Sequence, residues 1–305
     1  MTAMNIRLLL LLILLPALPI LAQTPPAPAK PAPPAPVIPE SLKAELNIVY
    51  GHTPEQELKM DVYRPKEGSD KLPVCILVHG GGWVEGDKER FTPLAIGLAQ
   101  RGYVVANIEY RLGPVAKYPA AVQDCNLAVR YVRANASRFG ADPNRLGAWG
   151  GSAGGHLVGL LAAAPAEEKF LTGDNRNASA KVQATVVMAG PMELNNEKSI
   201  ENYRKQKEQS YGFKWIGKLY DDAPELYREA SPITYLSKDT GPILFLTGSL
   251  DNPPRDTPAM DKLKSLGVPT QQVVLADGKH GCWMKPPWQE QCLEAVDTFF
   301  KSYLK

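Results

Sequence analysis

An excess of charge of either sign is missing. The 34 Lys and Arg residues nearly balance 32 Asp and Glu, a formal net charge of +2. The basic residues are scattered and no basic stripe is interleaved with aromatics, so nucleic acid is not an expected partner. No internal repeat is found, which excludes a repeat array. The apolar run Leu8–Leu15 is too short, and too soon followed by Pro16 and Pro19, to favour a membrane-spanning helix. Cysteine is scarce, at 4 residues, and none stands directly after Ala22, where Gln23 is found, so a bacterial lipid anchor is not indicated.

What is present fits an ordinary globular protein: 22% charged and 44% apolar residues in a chain of 305, enough for one large α/β domain or at most two smaller ones. Arg7 and the apolar run after it read as a secretory signal peptide over residues 1–22, cut after Ala22. The expected location is therefore secreted or periplasmic, with no stable membrane insertion after cleavage. Residues 23–39, almost all Pro and Ala, read as an extended tether, and residues 40–305 as the folded domain. Export permits disulfides. Cys75, Cys125, Cys282 and Cys292 allow three full pairings. Cys282 and Cys292 form the most suggestive pair, while Cys75, inside an apolar run, reads equally well as a small buried hydrophobe.

From Glu40 onward strand and helix signals alternate. Strands are expected over 57–63, 74–78, 103–108, 146–149, 182–188, 243–247 and 272–275, and helices over 91–100, 120–139, 156–164, 256–266 and 289–303. This rhythm predicts a mostly parallel central sheet with helices on both faces. Residues 191–232, polar and rich in aromatics, break it. They read either as a cap-like insertion over the C-terminal edge of the sheet, where ligands bind in such folds, or as a surface excursion.

Two glycine-rich segments carry chemistry. Gly150-Gly151-Ser152-Ala153-Gly154 fits G-x-S-x-G and lies between a short strand and an Ala-rich helix, so Ser152 is the candidate nucleophile beside a helix N-terminus. His79-Gly80-Gly81-Gly82-Trp83 follows a buried strand, and its glycines let backbone amides approach a developing oxyanion. The amides of Gly81, Gly82 and Ala153 are the candidate donors, and His79 reads as structural. No G-K-[ST] follows, which argues against a phosphate loop. A serine needs a base. Of four histidines, His52 precedes the sheet core and His156 lies on the helix after Ser152. His280, between glycines after the final strand, is the candidate. Asp251, at the end of the strand over 243–247, is the candidate acid. Asp256 reads as a helix cap, and Asp277 lies too close to His280 in sequence to orient it. Trp83 and Trp283 either line the site or belong to the core.

Together, the segments at 79–83, 107–112, 118–120, 141–145 and 150–156 resemble the bacterial esterase/lipase group of the α/β-hydrolase fold. That group includes hormone-sensitive-lipase-like esterases and secreted carbohydrate esterases. The resemblance covers nearly all of residues 40–305. It implies a serine esterase acting through an acyl-enzyme, without metal or organic cofactor, on a small-molecule or polysaccharide-linked ester such as an acetyl or feruloyl ester. Ser152, Asp251 and His280 match the family triad, in the family's chain order, and Gly81, Gly82 and Ala153 match its oxyanion donors. The run Asn252-Pro253-Pro254-Arg255 and the run Gly281-Cys282-Trp283 depart from the common pattern. Two other functions share the scaffold. A prolyl-oligopeptidase-like peptidase usually carries a large propeller, for which this chain has no room. A non-catalytic binding protein usually lacks a triad member or the glycine loop.

Overall fold

A computed structural model of the protein describes residues 36–68 and 71–305; the expected signal peptide and nearly all of the tether lie outside the described residues. Eight strands form one sheet: β1 (Leu42–His52), β2 (Glu57–Pro65), β3 (Leu72–Val78), β4 (Val104–Ile108), β5 (Ala141–Gly151), β6 (Ala184–Met188), β7 (Ile243–Gly248) and β8 (Thr270–Leu275), in the order β1-β2-β4-β3-β5-β6-β7-β8. β1 pairs antiparallel with β2, and β2 with β4; every later pairing is parallel.

Burial on both faces explains the apolar runs. In β3, Val74, Ile76 and Val78 enter one core cluster, while Cys75 and Leu77 enter the other. Alternate side chains of a strand point to opposite faces, so a strand covered twice must be apolar throughout. Helices α2 (Ala120–Ala134) and α3 (Ala153–Ala163) cover the first face through Val122, Val129, Leu157 and Leu161. Helix α1 (Thr92–Ala99) covers the second with Leu94 and Leu98. The helix expected over 120–139 stops at Ala134; a tight 3-10 turn, Ala136–Phe139, completes it and ends at Gly140 in the left-handed region.

The position of the site follows from the winding. After β3 the chain leaves to one face as α1, and after β5 it leaves to the other as α3. Adjacent parallel strands whose connections diverge open a crevice at their C-terminal ends. Both glycine-rich segments stand at that crevice. The excursion at 191–232 forms three short helices, α4 (Glu197–Gln206), α5 (Tyr211–Ile216) and α6 (Pro224–Glu229). Trp215 and Ile216 of α5 and Tyr227 of α6 join the first core cluster, so this segment is packed onto the domain. After β7 come α7 (Thr257–Ser265) and, beyond β8, α8 (Trp288–Tyr303).

Asp256 corrects one expectation. It stands just before α7, but its side chain caps nothing. It turns inward, 1% exposed, and accepts a hydrogen bond from the Thr247 hydroxyl at 2.8 Å and one from Gln272 at 3.3 Å. Burial pushes its carboxyl up to about 6, against the lowering effect of those two donors. The folded state therefore holds this proton more tightly than the unfolded chain, and stability falls as pH rises from the ordinary Asp range through about 6. Asp256→Asn keeps an acceptor for Thr247 and removes the buried charge. Its melting temperature is expected to exceed the parent's by several degrees at pH 8, on a scale of about 2–4 °C per kcal/mol, with the gap narrowing toward pH 4. Thermal melts at the two pH values check this; an equal gap at both contradicts it.

Candidate active site

Ser152 lies at the turn between β5 and α3 with φ 55 and ψ −119. A non-glycine residue held there costs about 1–3 kcal/mol, so its surroundings must over-determine it. They do: the Ser152 N–H donates to the Met188 carbonyl at the end of β6, and the Ser152 carbonyl accepts from the His156 N–H one turn into α3. The strain lifts the hydroxyl out of the turn at the helix N-terminus.

His280 meets it from the loop after β8. Its Nε2 lies 2.9 Å from Ser152 Oγ, and its Nδ1 lies 2.7 Å from Oδ2 of Asp251. An Asp carboxylate accepts, so Nδ1 carries the proton and Nε2 is free to take one from the serine. The two loops bearing the acid and the imidazole are laced together. Ser249 N–H donates to the Leu275 carbonyl, Leu250 N–H to Gly278, and Asp277 N–H to the Ser249 hydroxyl. Asp277 therefore serves the loop through its backbone. Trp283 meets the His280 ring edge to face at 5.1 Å.

Asp251 has a second partner that the sequence did not reveal. Arg255 donates to its Oδ1 at 2.5 Å and to its backbone carbonyl, and reaches the Ala189 carbonyl at 3.4 Å. Ala189 follows Met188, whose carbonyl holds the Ser152 amide. Arg255 thus ties the acid loop to the strand end that fixes the nucleophile. Burial raises the Asp251 carboxyl, but the hydrogen bonds and charges of His280 and Arg255 outweigh it and hold the group below the usual carboxylate value. It stays an anion through the neutral range. An Arg four residues after an acid is common in any sequence. Here the contact depends on a 3-10 turn at Pro253–Asp256, entered through Asn252 at φ 53, which no local pattern announces.

The glycine loop lies beside the serine. A Cβ placed on Gly80 would sit 3.2 Å from that of Ser152. Gly81 and Gly82 have φ 127 and 58. As the first helical residue, Ala153 has an N–H with no partner inside α3. His79 is structural, as expected: it is buried, its Nδ1 lies 2.7 Å from the Gly80 carbonyl, and it stacks on Tyr110 at 4.4 Å. Burial pushes its imidazole down to about 4, so it is neutral. His156 is also buried and pushed down to about 4 by burial. It accepts from the Trp83 indole N–H at 3.2 Å and donates to the Ala230 carbonyl at 2.7 Å, which holds it away from the serine.

Two expectations are corrected. Trp83 and Trp283 are buried and support the loops from behind, so neither forms an open wall of the site; Trp83 stacks on Trp215 at 5.0 Å. Cys282 and Cys292 are free thiols, as are Cys75 and Cys125. Cys282, in the 3-10 turn after His280, and Cys292, on α8, are both buried in the second core cluster, where each packs as a small hydrophobe.

A family model described as BD-FAE matches residues 60–256. The chain belongs to the BD-FAE family. The match takes in Ser152 and Asp251, and His280 follows it. Among curated proteins the chain is similar to Esterase LipC of Mycobacterium tuberculosis, 31% identical over 207 residues, which is 67% of this chain and 50% of that protein. It spans about half the length of such relatives. Among solved structures, a truncated carbohydrate esterase from gut microbiota aligns with TM-score 0.73 at 22% identity, over 85% of this chain and 95% of that one. The propionate-bound esterase Est2 of Thermogutta terrifontis aligns with TM-score 0.71 at 25% identity, over 87% of this chain and 96% of that one. The BD-FAE chain thus has the α/β-hydrolase fold.

If Arg255 acts by positioning the acid, Arg255→Met is expected to lower kcat by roughly 10- to 100-fold, the range for a small misplacement of catalytic groups, with KM changed little. Arg255→Lys should restore part of the loss. Steady-state kinetics of the three proteins check this. A raised KM with kcat intact would point to substrate binding instead.

Proposed function

We propose that this protein is a serine carboxylic ester hydrolase that works through an acyl-enzyme. One observation carries the reading: a single imidazole joins the Ser152 hydroxyl and the Asp251 carboxylate through its two nitrogens, at 2.9 and 2.7 Å. A serine hydroxyl is a weak nucleophile until a base removes its proton as it attacks. His280 takes that proton, and Asp251 stabilises the resulting imidazolium. The amides of Gly81, Gly82 and Ala153 receive the oxyanion. As the tetrahedral state collapses, His280 returns the proton to the departing alcohol. Water, activated by the same imidazole, then releases the acid and regenerates Ser152.

We further propose that the enzyme is exported and acts on acetyl or feruloyl esters carried by plant polysaccharide. The N-terminal leader and the sequence resemblance to secreted carbohydrate esterases support this. The bound propionate in the Thermogutta terrifontis neighbour supports a short acyl group as one acceptable substrate. A groove of about 840 Å3 beside the acid loop is lined by Glu193, Asn196, Ser199, Asn202, Asn252 and Arg255, among others. Its Glu193, Asn196, Ser199, Asn202 and Asn252 offer polar partners to a hydroxylated alcohol, Arg255 being engaged with Asp251, although neither Ser152 nor His280 lines it.

The test is a panel of p-nitrophenyl acetate, methyl ferulate and acetylated xylo-oligosaccharides, with protein recovered from the periplasm or medium. Turnover of at least one ester is expected, with kcat lowered by about 10^4-fold or more in Ser152→Ala. No turnover of any ester overturns the proposal. Exported protein should begin at Gln23; a retained Met1 overturns the export reading alone.

A further inference from the structure

The described residues include six exposed large apolar side chains: Val37, Leu46, Val115, Tyr211, Leu250 and Val274. Val37 precedes the sheet, and Leu46 and Val274 lie on its edge strands β1 and β8. Tyr211 stands at the glycine loop. It opens α5 and is 53% exposed, yet its ring rests directly on the glycine loop: a Cβ built on Gly82 would fall 2.4 Å from a ring carbon. Only a residue without a side chain leaves room for the ring at that point.

The ring is held in place. The Ser210 hydroxyl caps α5 by accepting from the Phe213 N–H at 3.1 Å. One helical turn after Tyr211, Trp215 stacks on Trp83 at 5.0 Å with the ring planes 15° apart. Residues four apart share a helix face, so α5 sets two aromatics on two consecutive residues of the glycine loop, Tyr211 on Gly82 and Trp215 on Trp83. From the other side, the Tyr118 N–H donates to the Trp215 carbonyl, and the Lys117 ammonium to that of Lys214. Trp215 is fully buried; Tyr211 presents open ring surface.

We propose that Tyr211 is the acyl-side wall of the substrate site and selects for flat, aromatic acyl groups; this rests on the ester-hydrolase reading above. The argument follows the four substituents of the tetrahedral carbon. One is Ser152 Oγ. The oxyanion turns to the amides of Gly81, Gly82 and Ala153. The alcohol oxygen must reach His280 Nε2 to receive its proton, which directs it toward the acid loop and Leu250. The acyl carbon is left to pass the rim at Gly82, where the Tyr211 ring stands. A hydroxycinnamoyl group there meets an aromatic face or edge, an arrangement favourable beyond simple burial, whereas an acetyl group is too short to use it.

The test compares p-nitrophenyl cinnamate with p-nitrophenyl acetate, which vary the acyl group, and p-nitrophenyl acetate with phenyl acetate, which vary the alcohol. Tyr211→Ala is expected to lower the cinnamoyl-to-acetyl ratio of kcat/KM by roughly 10-fold, the order of one aromatic contact, mainly through KM. Tyr211→Phe should keep the parent ratio. Tyr211→Leu, which retains apolar contact with Gly82, should fall between them and serves if the Ala variant does not fold. The alcohol ratio should not move. An unchanged cinnamoyl-to-acetyl ratio in both the Ala and Leu variants overturns the proposal, as does a change confined to the alcohol pair. A parent protein that turns over none of these esters overturns the hydrolase reading itself, which is a different result.

Discussion

One imidazole, bonded on both nitrogens, sets the terms for the rest of this structure. His280 reaches Ser152 and Asp251 only because three loops, each leaving the C-terminal end of a different parallel strand, converge on one edge of the sheet. None of the three is held by its own loop alone. The serine turn leans on β6 through Met188, the acid loop is laced to the imidazole loop through Gly278 and Leu275, and Arg255 joins the acid to Ala189 beside Met188. Hydrogen bonds between loops do here what regular secondary structure does elsewhere, fixing where the side chains stand.

A second set of contacts carries that order outward into the excursion at 191–232. Trp83 follows the oxyanion glycines, stacks on Trp215 of α5, and donates to His156 of α3, which in turn donates to Ala230 just after α6. Burial keeps His156 neutral, so it can accept on one nitrogen while donating from the other. Backbone strain at Ser152, the positive φ angles of the glycine loop and the packing of α5 are therefore parts of one framework. The chemistry sits at its edge and the specificity of the site at its rim.

Much of this was legible in the sequence because it rests on local signals. Doubly buried strands must be apolar, so β3 to β7 announce themselves, and the strand–turn–helix context of Ser152 requires small neighbours. β1 was missed. It is an edge strand with register shifts near Glu45 and Val49, so its side chains keep no clean alternation. α4 buries no residue and carries no apolar stripe by which to find it. The burial of Trp83 and Trp283, left open by the sequence, and the free thiols of Cys282 and Cys292 share a cause: nearness in sequence to the reacting residues does not say whether a side chain faces the cleft or the core beneath it. Arg255 and Tyr211 were out of reach for the complementary reason. The first acts through a tight turn, and the second across more than 120 residues of chain.

The central claim is that His280 activates Ser152. Its most direct measurement is covalent labelling by a fluorophosphonate, followed by peptide mass spectrometry of the intact and His280→Ala proteins. The account predicts one equivalent of label on Ser152 in the parent and labelling slowed by orders of magnitude without the imidazole. Label that misses Ser152, or equal rates in the two proteins, would contradict it.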